Sequence, residues 1–240
     1  MGHCVSGLLL TFVGVVCAAK NYGAGFVLSA LASMAAQRVF VAALGLSLKA
    51  LANMIILASG SPRRRELLTQ VGLTFSVQVF EIDESCLPNE APAAYVCRLA
   101  QQKARAAQAH LPADCTVIAA DTTVTVDGHI LGKPTDREDA FAMWRLLSGR
   151  SHEVMTGVAV ACGERVLCTH VVTTVTFLPL TPVMMQAYWD TGEPMGKAGA
   201  YAIQGRGAAF IPAIQGSYSN VVGLPLVETL ALLERLAQHG

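Results

Sequence analysis

Met54-Ile55-Ile56-Leu57-Ala58-Ser59-Gly60-Ser61-Pro62-Arg63-Arg64-Arg65-Glu66-Leu67-Leu68 is the stretch from which the architecture of this chain unfolds. Its first residues are apolar and rich in isoleucine, the signature of a short buried strand. Ser59, Gly60 and Ser61 then turn the chain with minimal side-chain bulk. Pro62 stands where a first helical turn tolerates a missing N–H, and the helix over 63–71 ends at Gly72. A strand, a turn of small residues and a helix in that order bring backbone N–H groups and the positive helix end together, with arginines alongside. Phosphate is the ligand such a turn accepts. The Gly-Lys-Ser/Thr ending of a Walker A loop is missing, and the same residues would also serve a capped surface helix with a solvated basic face.

Working outward, strand character returns over 75–80, and an Ala/Gln/Arg-rich helix follows over 91–110. A buried strand covers 116–120, and strands over 122–126 and 129–131 flank Asp127-Gly128, a hairpin signal. A helix over 136–147 starts at Thr135 or Asp136 as cap and stops before Gly149. Strands over 154–161 and 165–177 meet around Cys162-Gly163. Pro182 opens a helix over 181–190 capped by Thr181, a strand covers 208–214, and a last helix covers 224–238. Helices and strands alternate while hairpins intrude, so the expected class is α/β, a mixed twisted sheet with flanking helices.

Composition narrows the functional classes. The 240 residues carry 17 basic and 17 acidic side chains, so there is no basic stripe of the kind that tracks a nucleic-acid backbone. Seven scattered cysteines, never spaced C-x-x-C, support neither a zinc site nor a compact disulfide framework; they read as free thiols of a cytoplasmic protein.

Several polar residues interrupt apolar surroundings. Asp121 follows the apolar run Val117-Ile118-Ala119-Ala120 at an expected strand end, where a carboxylate suits a metal ligand, a general base or simply a turn cap. Lys103 lies inside a helix, Lys133 follows the hairpin in Leu131-Gly132-Lys133-Pro134, and Lys197 sits in the Gly-rich turn Glu193-Pro194-Met195-Gly196-Lys197-Ala198-Gly199. A lone lysine is usually solvated surface, but a triphosphate needs several cations converging. The segment 148–157 has the polar density of a functional loop, with His152 read as a structural histidine. Gln204 is an amide among apolar residues, able to read a base edge or bond the backbone.

In order, LASGSPRRRELL, AADTTV, LGKP, SGRSHEVMTGV, EPMGKAGAYAIQG and GSYSNVVGLPL resemble the Maf family of nucleoside triphosphate pyrophosphatases over 54–240. The resemblance implies two lobes around a cleft (a Maf/ITPase-like fold), a divalent cation, Mg²⁺ or Mn²⁺, and hydrolysis between the α- and β-phosphates. It implies Asp121 as catalytic proton acceptor. It also implies Ser59, Arg64, Lys103 and Lys133 around the phosphates, with Glu84 and Asp121 at the metal. Arg63, Thr122 and Gln204 match the branch acting on dTTP and UTP, modified pyrimidine nucleotides included; an aromatic residue in place of Arg63 marks the 7-methyl-GTP branch. Gly196 stands where the family often has Asp, and Ala202 where Gly is frequent. The resemblance further implies nucleotide house-cleaning and a homodimer. The same family is associated with inhibition of septum formation and cell division, so a non-catalytic nucleotide-binding regulator is one alternative, and a Maf enzyme with another base preference such as 7-methyl-GTP is the other.

Residues 1–53 lie outside that pattern. They are apolar, with Lys20, Arg38 and Lys49 and no acidic residue. Only His3 precedes the first apolar run, unlike a secretory signal, and Arg38 cuts the longer run short of a membrane span. Met54 is the expected functional start, the upstream segment arising from a mis-assigned start codon; a weak membrane anchor is the other reading. The intact mass of the native protein is expected to correspond to a chain beginning at Met54, and recovery of peptides from 1–53 overturns that expectation.

Overall fold

The computed structural model describes residues 54–238; the N-terminal extension 1–53 lies outside the described residues. Seven strands form one mixed sheet: β1 (Ile55–Leu57), β2 (Ser76–Val77), β3 (Thr116–Val126), β4 (His129–Leu131), β5 (Ser151–Cys162), β6 (Arg165–Thr176) and β7 (Ala213–Gln215). Their order is β2-β1-β3-β5-β6-β7, with β4 hairpinned onto β3. β1 pairs in parallel with both β2 and β3, while the remaining pairs are antiparallel. The helices are α1 (Pro62–Gln70), α2 (Pro92–Gln108), α3 (Arg137–Leu147), α4 (Pro182–Trp189), α5 (Tyr218–Val222) and α6 (Leu226–Ala237). Among the described residues no helix is long and apolar enough to cross a membrane.

Alternation along β3 distributes the core. Val117 and Ala119 face α2, which presents Ala100, Ala104 and Ala107. The alanine face lets α2 sit very close to the sheet, and Gly157 on β5 completes the fit: a Cβ there would lie 2.3 Å from the Val96 carbonyl oxygen of α2. Ile118 and Ala120 face the other way, into a cluster with Leu67, Leu68, Leu232, Leu233 and Leu236 from α1 and α6. Val124 and Val126, further along that same face, enter a third cluster with Phe141, Trp144 and Leu147 of α3 and with Tyr188 of α4. Two lobes result, each with its own apolar packing, sharing the long strands β3, β5 and β6.

Between the lobes runs a polar seam. Thr122 and Thr156 are cross-strand partners with hydroxyls 2.9 Å apart, and Thr156 donates to the Asn220 carbonyl of α5. The Asn220 amide donates in turn to the Val154 carbonyl and to Thr173 Oγ1. Thr156, Thr173 and Asn220 are fully buried; the two hydroxyls and the Asn220 Nδ2 are satisfied through this chain of bonds, while Asn220 Oδ1 has no partner.

Three sequence expectations change. The strands expected over 116–120 and 122–126 are one continuous strand, because β5 pairs with it without a break from Val117 to Thr125. Asp121 therefore sits in mid-strand rather than at a strand end. Most of the segment expected as a functional loop, from Ser151 onward, is the body of β5. The strand expected over 208–214 is instead a 3-10 turn (Arg206–Phe210) followed by β7, and α5 was not foreseen.

His152 is structural. It is 3 % exposed, stacks edge-on with Phe177, and its Nε2 lies 2.8 Å from Tyr201 Oη. Burial pushes its pKa down to about 4, so the folded protein holds it neutral where the unfolded chain takes up a proton. Its contribution to stability is complete above the unfolded value of 6.5 and fades as pH falls towards 4, amounting to about 3 kcal/mol. Urea unfolding at about pH 7 and about pH 5 is expected to show about 2 kcal/mol of this loss, and His152→Gln to flatten it.

Candidate active site

The sheet is open at one place. On the edge of β3 away from β5, β1 covers residues 116–118 and β4 covers 124–126. The five residues between, 119–123, have no strand partner on that edge. A cleft of about 490 Å³ occupies the opening, and because it lies in the sheet's own plane it meets side chains from both faces. Asp121 comes from the α2 face and Thr122 from the opposite one. The residue pair could not line one pocket if the strand edge were sealed.

The turn after β1 supplies the cleft's other wall. Ser59 and Arg64 are tied together, Arg64 NH1 donating to Ser59 Oγ at 2.9 Å. Arg64 also donates from Nε to the Gly223 carbonyl at 2.8 Å and from NH2 to Thr122 Oγ1 at 3.1 Å. One guanidinium thus joins the start of α1, the middle of β3 and the loop after α5. Burial pulls the Arg64 pKa down, and the Asp121 carboxylate opposes the shift. Ser59 is itself buried and accepts from the Ser61 N–H at 3.3 Å.

Asp121 is 8 % exposed. Lys103, on α2, donates to Asp121 Oδ1 at 2.7 Å and reaches Glu84 Oε1 at 2.6 Å. Lys133, in the loop after β4, lies 3.3 Å from Glu84 Oε2. Burial works to raise the Glu84 pKa, but the two lysines outweigh it and hold the carboxyl below the ordinary range. Lys103 departs from the usual behaviour of a helical lysine: its side chain is only 13 % exposed, pointed inward by the close seat of α2 on β3.

Ser59, Arg63, Arg64, Glu84, Lys103, Asp121, Thr122 and Lys133 all line this one cleft, bringing together every expected phosphate, metal and catalytic residue. Gln204 is the exception. It is exposed just beyond the lining residue Ile203, on the turn leading into the 3-10 segment. Sequence reasoning weighed Lys197 among the candidate cations without assigning it to the site, and left Tyr201 without a role, yet both line the cleft. The Gly-rich turn around Lys197 was the available signal. In all, five cations and two carboxylates face the opening, a charge balance suited to a multiply charged anion.

An α/β sheet split at one edge, with a cationic cleft around a lysine-bridged carboxylate pair, defines a protein built to hold a polyanion. The Maf-like protein family model matches residues 54–236, and the chain belongs to that family. It is 52 % identical over 180 residues to a dTTP/UTP pyrophosphatase of Acinetobacter baylyi, covering 75 % of this chain and 98 % of that one. It is 54 % identical over 181 residues to a dTTP/UTP pyrophosphatase of Symbiobacterium thermophilum, covering 75 % and 93 %.

Arg64 has a structural duty separable from ligand binding. Arg64→Ala is expected to lower unfolding free energy by about 2 kcal/mol, since it strips the donors from Ser59, Thr122 and the Gly223 carbonyl at once. Urea unfolding without any ligand measures this; an unchanged midpoint overturns it.

Proposed function

We propose that this chain is a nucleoside triphosphate pyrophosphatase, hydrolysing dTTP and UTP to the monophosphate and pyrophosphate. The observation that carries the reading is the meeting of Asp121 with Arg64, Lys103 and Lys133, from four separate parts of the chain, in one cleft. Family membership and relatives named dTTP/UTP pyrophosphatase support the reaction and the substrates.

In this mechanism water attacks the α-phosphorus in line with the bond to the bridging oxygen. Asp121 orients the water and takes its proton. Lys103 engages Asp121 Oδ1, and among the described residues no donor engages Oδ2, which is left to face the water. The ammonium beside it fixes the carboxylate in rotamer. Lys103, Lys133 and the unused N–H groups of Arg64 hold the phosphates and offset the charge that develops on the leaving pyrophosphate. Arg63 and Thr122, with the nearby Gln204, account for pyrimidine preference; a Gln amide pairs with both an acceptor and a donor on one base edge.

A divalent cation fits this donor set. Among the described residues no group of three or more His, Cys, Asp or Glu converges, so the protein alone forms no closed cage. Two carboxylates sharing one cation are present, however, in Glu84 and Asp121 around Lys103. Two carboxylates completed by substrate phosphate oxygens is the coordination Mg²⁺ and Mn²⁺ adopt at nucleotide sites. Glu84 and Asp121 would hold the ion, whose chemistry when bound is to neutralise phosphate oxygens as a Lewis acid. The free thiols Cys86, Cys97, Cys115, Cys162 and Cys168 suit a cytoplasmic setting.

Asp121→Asn is expected to reduce pyrophosphate release from UTP by roughly 10²–10⁴-fold while UTP binding persists. The assay is release of pyrophosphate in the presence of Mg²⁺ or Mn²⁺ alongside calorimetric binding; full turnover in the variant removes Asp121 from the mechanism.

A further inference from the structure

The five cations of the cleft are not equivalent. Lys103 and Lys133 are paired with carboxylates, and Arg64 is engaged by Ser59, Thr122 and the Gly223 carbonyl. Arg63 and Lys197 remain. Among the described residues neither forms an ion pair, and the only hydrogen bond of the Lys197 ammonium is to the Met195 carbonyl of its own turn, at 3.1 Å. The two cations are neighbours: each is partly buried, and Arg63 adds to the effect of burial in lowering the Lys197 pKa.

Glu193 is the carboxylate that would neutralise them, but its oxygens are committed elsewhere. They accept from Tyr188 Oη at 2.6 Å, from the Arg206 N–H at 2.8 Å and from the Gly207 N–H at 3.1 Å. Gly205 packs against that same carboxylate, so closely that a Cβ there would overlap it. Glu193 therefore fixes the turn carrying Ile203 and Gln204, and its charge acts on Lys197 without an ion pair between them. The Lys197 turn is anchored independently: Gly199 takes φ +66°, packs on Val124, and donates its N–H to the Gly132 carbonyl at 3.0 Å.

The surroundings of Lys197 differ from those of Lys103. Its charged neighbours are Arg63 and Glu193, not Asp121 or Glu84. Val124, Val154, Tyr201 and Ile203 line the same cleft, an apolar wall suited to a flat base. An ammonium without an ion pair, lining the same cleft as such a wall, is matched by a carbonyl oxygen.

We propose that Lys197 is a specificity-determining residue, whose ammonium donates to a carbonyl oxygen of uracil or thymine and so selects these bases over cytosine. Thymine and uracil present an acceptor oxygen at position 4, where cytosine presents an amine donor that a cation repels. The same charge, doubled by Arg63, disfavours a base that carries a positive charge, such as 7-methylguanine. This rests on the proposed nucleotide pyrophosphatase reading and adds to it a further residue that reads the base.

The test is calorimetric binding of UTP and CTP to the turnover-blocked Asp121→Asn protein, with and without Lys197→Met or Lys197→Arg. Lys197→Met is expected to weaken UTP binding roughly 10-fold and CTP binding hardly at all, with Lys197→Arg retaining most of the preference. Equal weakening of both nucleotides, no weakening of UTP binding, or failure of the Lys197-intact protein to bind UTP overturns the assignment. Pyrophosphate release by the wild-type chain tests the underlying reading separately: a protein that prefers UTP in binding yet releases no pyrophosphate sinks the activity and keeps the base-reading role.

Discussion

Everything in the cleft depends on one strand edge left unpaired. β3 is held along nearly its full length by β5, which makes it rigid, while β1 and β4 cover only the ends of its other edge. The unpaired middle gives a ligand access to the sheet's plane, and rigidity keeps the residues there in place without support from that side. Alternation of side chains then assigns Asp121 to the α2 face and Thr122 to the face between the lobes. A sheet continuous on both edges would bury the carboxylate against α2 and enclose the threonine in the core.

The lobes meet the opening with different materials. On one face, alanines of α2 and the bare Cα of Gly157 bring a helix near enough for Lys103 to reach Asp121 at 2.7 Å. On the other, the Thr122–Thr156–Asn220 chain carries the polar character of the cleft into the interior between two apolar clusters. Arg64 stitches that seam to the turn after β1. Its half-buried guanidinium is tolerable because three oxygen acceptors meet it, and the cleft inherits a positive charge that is already oriented. The electrostatics of the site are thus preorganised: paired cations beside the carboxylates, unpaired ones beside the apolar wall.

Much of this was legible in the order of residues. The strand, turn and Pro-initiated helix from Met54 onward follow from local chemistry, and β1 and α1 lie as expected. The Asp136 cap on α3 and the Thr181 cap on α4 are as expected too, each side chain accepting from a backbone N–H in the first turn. Two kinds of feature escaped. Asp121 and Thr122 broke the apolar run of β3 and suggested a strand end, since polar residues in mid-strand are costly unless a cleft receives them. α5 is only five residues long and owes its existence to packing and to the Ser217 cap, with too little periodicity to announce itself. Gln204, read from motif alone as a base contact, is exposed next to the cleft lining rather than within it.

The sequence by itself determined the α/β class, the turn of small residues after β1 and which charged residues were candidates for the cleft, because each is a matter of local propensity or of residues standing in a fixed order. Only the tertiary structure decided which charges are spent and which remain free. Lys103, Lys133 and Lys197 look alike as sequence, each a lysine that surface solvation would explain. Folding places Glu84 and Asp121 against the first and Glu84 near the second, while Glu193 is bonded to backbone N–H groups and forms no ion pair with the third. Coulombic pairing acts over a few ångströms in space, and distance in space between residues far apart in the chain is set by packing alone.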